Sequence, residues 1–252
     1  MKEKLVLVKT RQLSKQYVSR SFLKRKNVEA VKGLDLEIYD GEIFGFVGPN
    51  GAGKTTTLNM LVGITQSSGG AIEMFGRPFK AGDIEPLRYI GYVPETTSLP
   101  DYFTVVGLLD FYAQLFGIPK KTKRERIGRL LDMVGLFDER YTLIKNLSMG
   151  QRRLVDFMQA LINDPRLVLL DEPTVYLDPV IMERFRLILN TLRKQGKTIL
   201  MSSHILPEVE KLSDRVAIIH RGILLKIGPK KDFMQHGSIE KEFLRLVKDI
   251  HS

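Results

Sequence analysis

Gly48-Pro49-Asn50-Gly51-Ala52-Gly53-Lys54-Thr55-Thr56 is the stretch that decides the fold of this chain. Glycine permits the backbone angles that turn successive N–H groups inward, and such a nest of amides receives phosphate oxygens. The stretch follows a short apolar run, Ile43 to Val47, and opens a helix-capable segment at Lys54. The order is therefore strand, glycine-rich turn, helix. In that setting the residues fit a phosphate-binding loop. The helix N-terminus adds partial positive charge, Lys54 reaches the β- and γ-phosphates, and the Thr55 hydroxyl ligates Mg²⁺.

A second stretch, Leu167-Val168-Leu169-Leu170-Asp171-Glu172-Pro173, supplies the complementary chemistry. An apolar strand delivers Asp171 to its C-terminal end, where open α/β sheets bind their ligands. Asp171 is expected to hold Mg²⁺ through its water shell, and Glu172 to take a proton from an attacking water.

Outward from these two points the chain alternates short apolar runs with helical patterns. Thr198 to Ser202 and Arg215 to Ile219 read as further strands. Ile181, Phe185, Ile188, Leu189 and Leu192 share one helical face leading into the first of them. This alternation predicts a mostly parallel sheet covered on both faces. Near the N-terminus, residues 5–9 and 34–38 read as strands separated by a polar, basic segment, Ser19 to Asn27, that reads as a hairpin excursion. Between about 100 and 163 helices run without strands. Leu108, Leu109, Phe111, Tyr112 and Leu115 form one expected apolar face, and Ile127, Leu130, Leu131 and Val134 another.

Bulk composition adds limits. The 252 residues are 43% hydrophobic and 27% charged, enough for a sizeable core. With no cysteine, disulfides and thiolate metal sites are excluded. No apolar run approaches the ~18 residues needed to span a bilayer, and Leu5 to Val8 is too short for a signal peptide. The net charge of +10 suits anionic partners. Its dense patches, Lys24-Arg25-Lys26, Lys120 to Arg129 and Lys230-Lys231, lack interleaved aromatics and read as solvated faces, so no specific nucleic acid is expected.

The two stretches together resemble the ATP-binding subunit of ABC transporters, over about residues 5–230. Leu147-Ser148-Met149-Gly150-Gln151 is similar to the signature motif of that family. The resemblance implies that Ser148, Gly150 and Gln151 contact a nucleotide bound by a second subunit. It implies that Asp178 lies in a loop crossing the dimer interface, that His204 senses the γ-phosphate, and that adenine stacks on Tyr17. It further implies an α/β fold with a P-loop NTPase (RecA-like) core, an N-terminal antiparallel β subdomain and an inserted helical subdomain. The expected division is 1–98 and 164–230 for the core, 99–163 for the helical subdomain and 231–252 for a C-terminal helical tail.

The sequence departs from the family at four places. Glu95 stands where Gln is usual; it can still ligate Mg²⁺, and similar Glu residues occur in ABC-2 type exporters. Met149 replaces the first signature glycine, Tyr176 a usually small residue of the crossing loop, and Gly107 a glutamate after the helix-capping Thr104. None removes a catalytic group. The resemblance implies a Mg²⁺-dependent ATPase, dimerising with its own copy or another ATP-binding subunit. It would serve a transmembrane permease on a separate chain at the cytoplasmic face of the membrane. An exporter is favoured over an importer, and a soluble ABC ATPase acting on ribosomes or DNA is the rival from another class.

Overall fold

The computed structural model describes residues 5–21, 24–175 and 177–251. Strands β1 (Val6–Ser21) and β2 (Lys24–Tyr39) form a long antiparallel hairpin. They join β4 (Gly69–Met74) and β5 (Arg77–Phe79) in a four-stranded antiparallel sheet, order β2-β1-β4-β5. The second sheet has six strands in the order β10-β9-β3-β8-β7-β6. Here β3 (Ile43–Val47), β6 (Ile90–Val93), β7 (Leu167–Asp171), β8 (Thr198–Ser203) and β9 (Arg215–His220) run parallel to their neighbours among themselves. Only β10 (Ile223–Pro229) pairs antiparallel within it.

Both faces of this sheet are covered, and the alternation of side chains shows it. Ile43 and Val47 of β3, Val168 and Leu170 of β7, and Ile199 and Met201 of β8 enter one hydrophobic cluster with the helices. Phe44 and Phe46, Leu167 and Leu169, and Leu200 enter a second cluster beneath the antiparallel sheet. Side chains alternate across a strand, so a strand buried on both faces must be apolar throughout. That is why these runs read as continuous.

Five helices flank the sheet directly or through one another: α1 (Lys54–Leu61), α4 (Met149–Leu161), α5 (Pro179–Lys194), α6 (Leu206–Leu212) and α7 (Ile239–His251). With α2 (Val105–Leu115) and α3 (Lys120–Val134), α4 forms the excursion between the adjacent parallel strands β6 and β7. On α5, Phe185, Ile188, Leu189 and Leu192 are buried and Ile181 packs beside them, as expected.

Three expectations change. The N-terminal strands run far beyond 5–9 and 34–38, into the hairpin excursion expected at Ser19 to Asn27. Antiparallel pairing satisfies backbone groups whatever the side chains, and register shifts between Thr10 and Gln16 absorb the broken hydrophobic pattern. On α2, the buried face is Val105, Leu108, Leu109 and Ala113, whereas Phe111 and Leu115 are exposed. Five apolar residues in eight positions exceed one helical stripe, so two point outward. Residues 231–251 are less separate than a tail, because Phe233 and Ile239 are fully buried in the main cluster.

Candidate functional site

The glycine-rich loop takes the shape its composition dictates. Gly51 and Gly53 sit at φ 76° and 109°, in the left-handed region that side chains disfavour. A Cβ on Gly48 would lie 2.2 Å from the Ile219 carbonyl oxygen, and one on Gly53 would lie 2.4 Å from that of Ala30. The loop is thus wedged between β2 and the end of β9. The next helix begins at Lys54, so the first amides of α1 face back across the loop.

Asn50, Gly51, Gly53, Lys54, Thr55, Thr56, Glu95 and Glu172 line one cleft of ≈ 420 Å³ together with Ala30. Gly48 and Pro49 shape its rim through their carbonyls, which accept from Lys54 Nζ at 2.7 and 3.2 Å. Ala52 is buried and donates its amide to Pro49. Lys54 Nζ also lies 3.1 Å from Glu172 Oε1, close enough for an ion pair but out of hydrogen-bond alignment.

Glu172 is held from several sides. It is 3% exposed and its φ is 47°, a conformation that costs a non-glycine residue about 1–3 kcal/mol. Oε2 accepts from His204 at Nδ1, 2.8 Å away, and at the backbone N–H, 3.3 Å away. The Ser202 hydroxyl accepts from the Glu172 amide at 3.1 Å and donates to Asp171 Oδ1. Asp171 is fully buried, and its Oδ2 has no partner. An acceptor fixed by one oxygen and free at the other suits a hard cation that takes oxygen ligands, as do the Thr55 hydroxyl and the Glu95 carboxylate that line the cleft. Among the described residues no three His, Cys, Asp or Glu side chains gather to hold a metal alone. Phosphate oxygens and waters would have to complete such a site.

The remaining candidates lie elsewhere. Ser148 caps α4 and forms a reciprocal capping box with Gln151. Ser148 is exposed and Gly150 buried, and neither they nor Gln151 line the cleft. Asp178 caps α5, accepting from the amides of Val180 and Ile181 at 2.9 Å. Tyr17 is 42% exposed on β1, with Lys15 Nζ 5.0 Å from its ring centre, and stands outside the cleft lining. Tyr176 lies outside the described residues. Thr104 caps α2 through the Gly107 amide, as expected.

Two contributors escaped the sequence reading. Ser202 reads only as the end of a strand, and nothing singles out Arg153. A buried arginine on the apolar face of α4 gives no periodic signal that separates it from Arg152 beside it.

Comparison with known proteins agrees with this geometry. The family model described as ABC transporter matches residues 31–175. An ABC transporter ATP-binding protein of Nostoc sp. is 44% identical over 88% of this chain and 66% of its own length. The bacitracin transport ATP-binding protein BcrA of Bacillus licheniformis is 38% identical over 88% and 70%. The Nod factor export ATP-binding protein I of Cupriavidus metallidurans is 38% identical over 76% and 63%. The match thus spans about two thirds of each relative. A solved ATP-binding subunit of an ABC transporter superposes with a TM-score of 0.84 at 25% identity, covering 96% of this chain and 99% of that one. The chain belongs to the ABC transporter family, among its ATP-binding proteins.

Proposed function

We propose that this chain hydrolyses ATP to drive export through a transmembrane partner. The observation that carries the reading is the convergence of Lys54, Thr55, Glu95 and Glu172 on one cleft, with Glu172 oriented by His204.

The phosphates lie in the amide nest of residues 48–56 and against Lys54. A bound Mg²⁺, held by Thr55, Asp171 and Glu95, supplies charge neutralisation on the phosphate oxygens. Glu172 accepts a proton from the water that attacks the γ-phosphorus, while the bond to the β–γ bridging oxygen breaks to leave ADP. His204 fixes the carboxylate through two N–H groups, so its free oxygen faces the cleft. Ser202 ties Asp171 and the Glu172 amide into one unit. Such preorganised groups act without reorganising during the reaction.

Ser148 is exposed at the N-terminus of α4 and lies off the cleft, which supports its serving the nucleotide of a second subunit. ATP then sits between two subunits and holds them together until it is split. Tyr17, exposed on β1, is the ring on which adenine stacks.

Residues 99–163 act as the helical unit that meets the membrane partner. Tyr102, Phe103, Phe111 and Tyr112 form a chain of aromatic contacts with centroids 5.0, 5.6 and 5.6 Å apart. Tyr102 is 78% exposed and Phe111 44%, and exposed aromatics are favoured interface anchors. Leu108, on the same helix as Phe111, is core. Export rather than import is supported by Glu95 and by the Nod factor export relative. The proposed site of action is the membrane surface; among the described residues no helix is long and apolar enough to cross a bilayer.

The test is steady-state hydrolysis by the purified chain, with and without Mg²⁺. Mg²⁺-dependent release of phosphate from ATP supports the reading. No release, even with the transmembrane partner reconstituted, overturns it.

A further inference from the structure

Arg153 sits on α4 with its side chain 3% exposed. Its guanidinium donates to three main-chain carbonyls: Pro94 through one terminal nitrogen, and Asp171 at 2.6 Å and Glu172 at 3.1 Å through the other. One turn on, Asp156 is also buried and hydrogen-bonds Thr97, while one of its oxygens has no partner. Helix α4 therefore holds the segment carrying Glu95 at two points, Pro94 and Thr97. It holds the peptide units around Glu172 at a third.

A buried guanidinium is costly when carbonyls rather than a carboxylate receive it. Packing alone would be served by an apolar side chain. What the arginine adds is a rigid link from α4 to two segments that carry the cleft residues Glu95 and Glu172. Ser148 lies at the N-cap of the same helix, five residues from Arg153. At ~1.5 Å rise per residue that is about 7–8 Å along a stiff rod. A displacement at the Ser148 end therefore reaches the carbonyls flanking Glu172 without passing through a flexible loop. Glu172 needs this restraint, because its backbone sits at φ 47°.

We infer that Arg153 is a positioning residue for ATP hydrolysis, with Asp156 as its companion. Through it α4 aligns Glu172 and Glu95 together when a ligand engages Ser148. The inference rests on the ATPase reading above and adds to it a residue that touches no substrate.

The experiment compares the wild-type chain with Arg153→Met, Arg153→Lys and Asp156→Ala. Each is assayed for kcat and KM of Mg²⁺-ATP hydrolysis, for Kd of a fluorescent ATP analogue, and for melting temperature. The Arg153→Met variant should lose at least tenfold in kcat while Kd for the analogue changes less than about twofold. Arg153→Lys, which keeps a charged donor, should recover part of that loss. Asp156→Ala should lower kcat by a smaller factor. If Arg153→Met fails to fold, a kcat loss in Arg153→Lys at unchanged Kd supports the inference, and unchanged kcat there overturns it. Wild-type kcat retained in a folded Arg153→Met, or kcat and Kd worsening by equal factors, also overturns it. A wild-type chain that does not hydrolyse ATP with its partner defeats the parent reading and takes this one with it.

Discussion

Glu172 Oε2 lies 2.8 Å from His204 Nδ1 and also accepts from the His204 backbone N–H. An ionised carboxylate can only accept, so this geometry requires the imidazole proton on Nδ1. The other Glu172 oxygen is thereby left to the cleft, beside Lys54. Two donors from one residue fix the carboxylate in rotation as well as in place. Displacing a reacting group by about 1 Å can cost on the order of 10²-fold in rate. His204→Ala should therefore lower kcat by roughly 10–10²-fold and leave nucleotide affinity near wild type. Stopped-flow binding beside steady-state hydrolysis checks this; a matching rise in Kd would make His204 a binding group instead.

Lys54 and Tyr17 should fail differently. Removing the Lys54 ammonium by Lys54→Ala takes away a charge facing the phosphates, so ATP and GTP affinity should fall together. Tyr17→Ala removes an exposed ring, at a cost of about 1–3 kcal/mol if adenine stacks there. Purines of either kind stack, so little ATP-over-GTP preference should change. Equilibrium titration with both nucleotides separates the cases, and unchanged ATP binding in Tyr17→Ala would return this residue to a plain surface role.

Asp156 makes stability depend on pH in a defined direction. Burial pushes its carboxyl up to about 6, from an ordinary 3.8, against the lowering effects of Thr97 and Arg153. Tyr112 of α2 faces it as well. A raised carboxyl pKa means the fold binds this proton more tightly than the unfolded chain does. Its contribution to stability therefore falls as pH rises from about 4 to about 6 and stays low above that. Asp156→Asn carries no such titration. The variant should be more stable than wild type by about 1–3 kcal/mol at pH 7.5, with the difference shrinking toward pH 5. Melting curves across that range read it; a gap that widens as pH falls would reverse the sign and refute the argument.

Leu108 and Tyr102 lie six residues apart in the helical unit and are opposite in burial. Leu108 is 1% exposed, so Leu108→Ala should destabilise by about 2–5 kcal/mol through transfer and cavity costs. Tyr102→Asp should leave the melting temperature nearly unchanged and abolish co-purification with the membrane partner. If Tyr102→Asp instead keeps the partner, the exposed aromatics are not the docking surface.

The phosphate loop was legible because glycine positions, the flanking strand and Lys54 are all local. The parallel strands β3, β7, β8 and β9 were legible because burial on both faces makes them continuously apolar. Strands β4, β5, β6 and β10 carry weaker patterns. Gly69 and Gly70 open β4, and Gly91 interrupts β6, so neither alternates cleanly. The outward turn of Phe111 was hidden because apolar character does not say which of two faces is core. Arg153 and Ser202 were hidden for another reason. Their roles lie in contacts 18 to 59 residues away in sequence, and no periodicity records such pairings.

The measurement that bears most directly on the account is ATP turnover by Glu172→Gln. The amide keeps the shape of the side chain but cannot take a proton from water. Turnover should fall by at least ~10²-fold, ATP should still bind, and light scattering should report an ATP-dependent dimer that no longer parts. Near-normal turnover in this variant would contradict the account, since the proton would then be taken by some group other than Glu172.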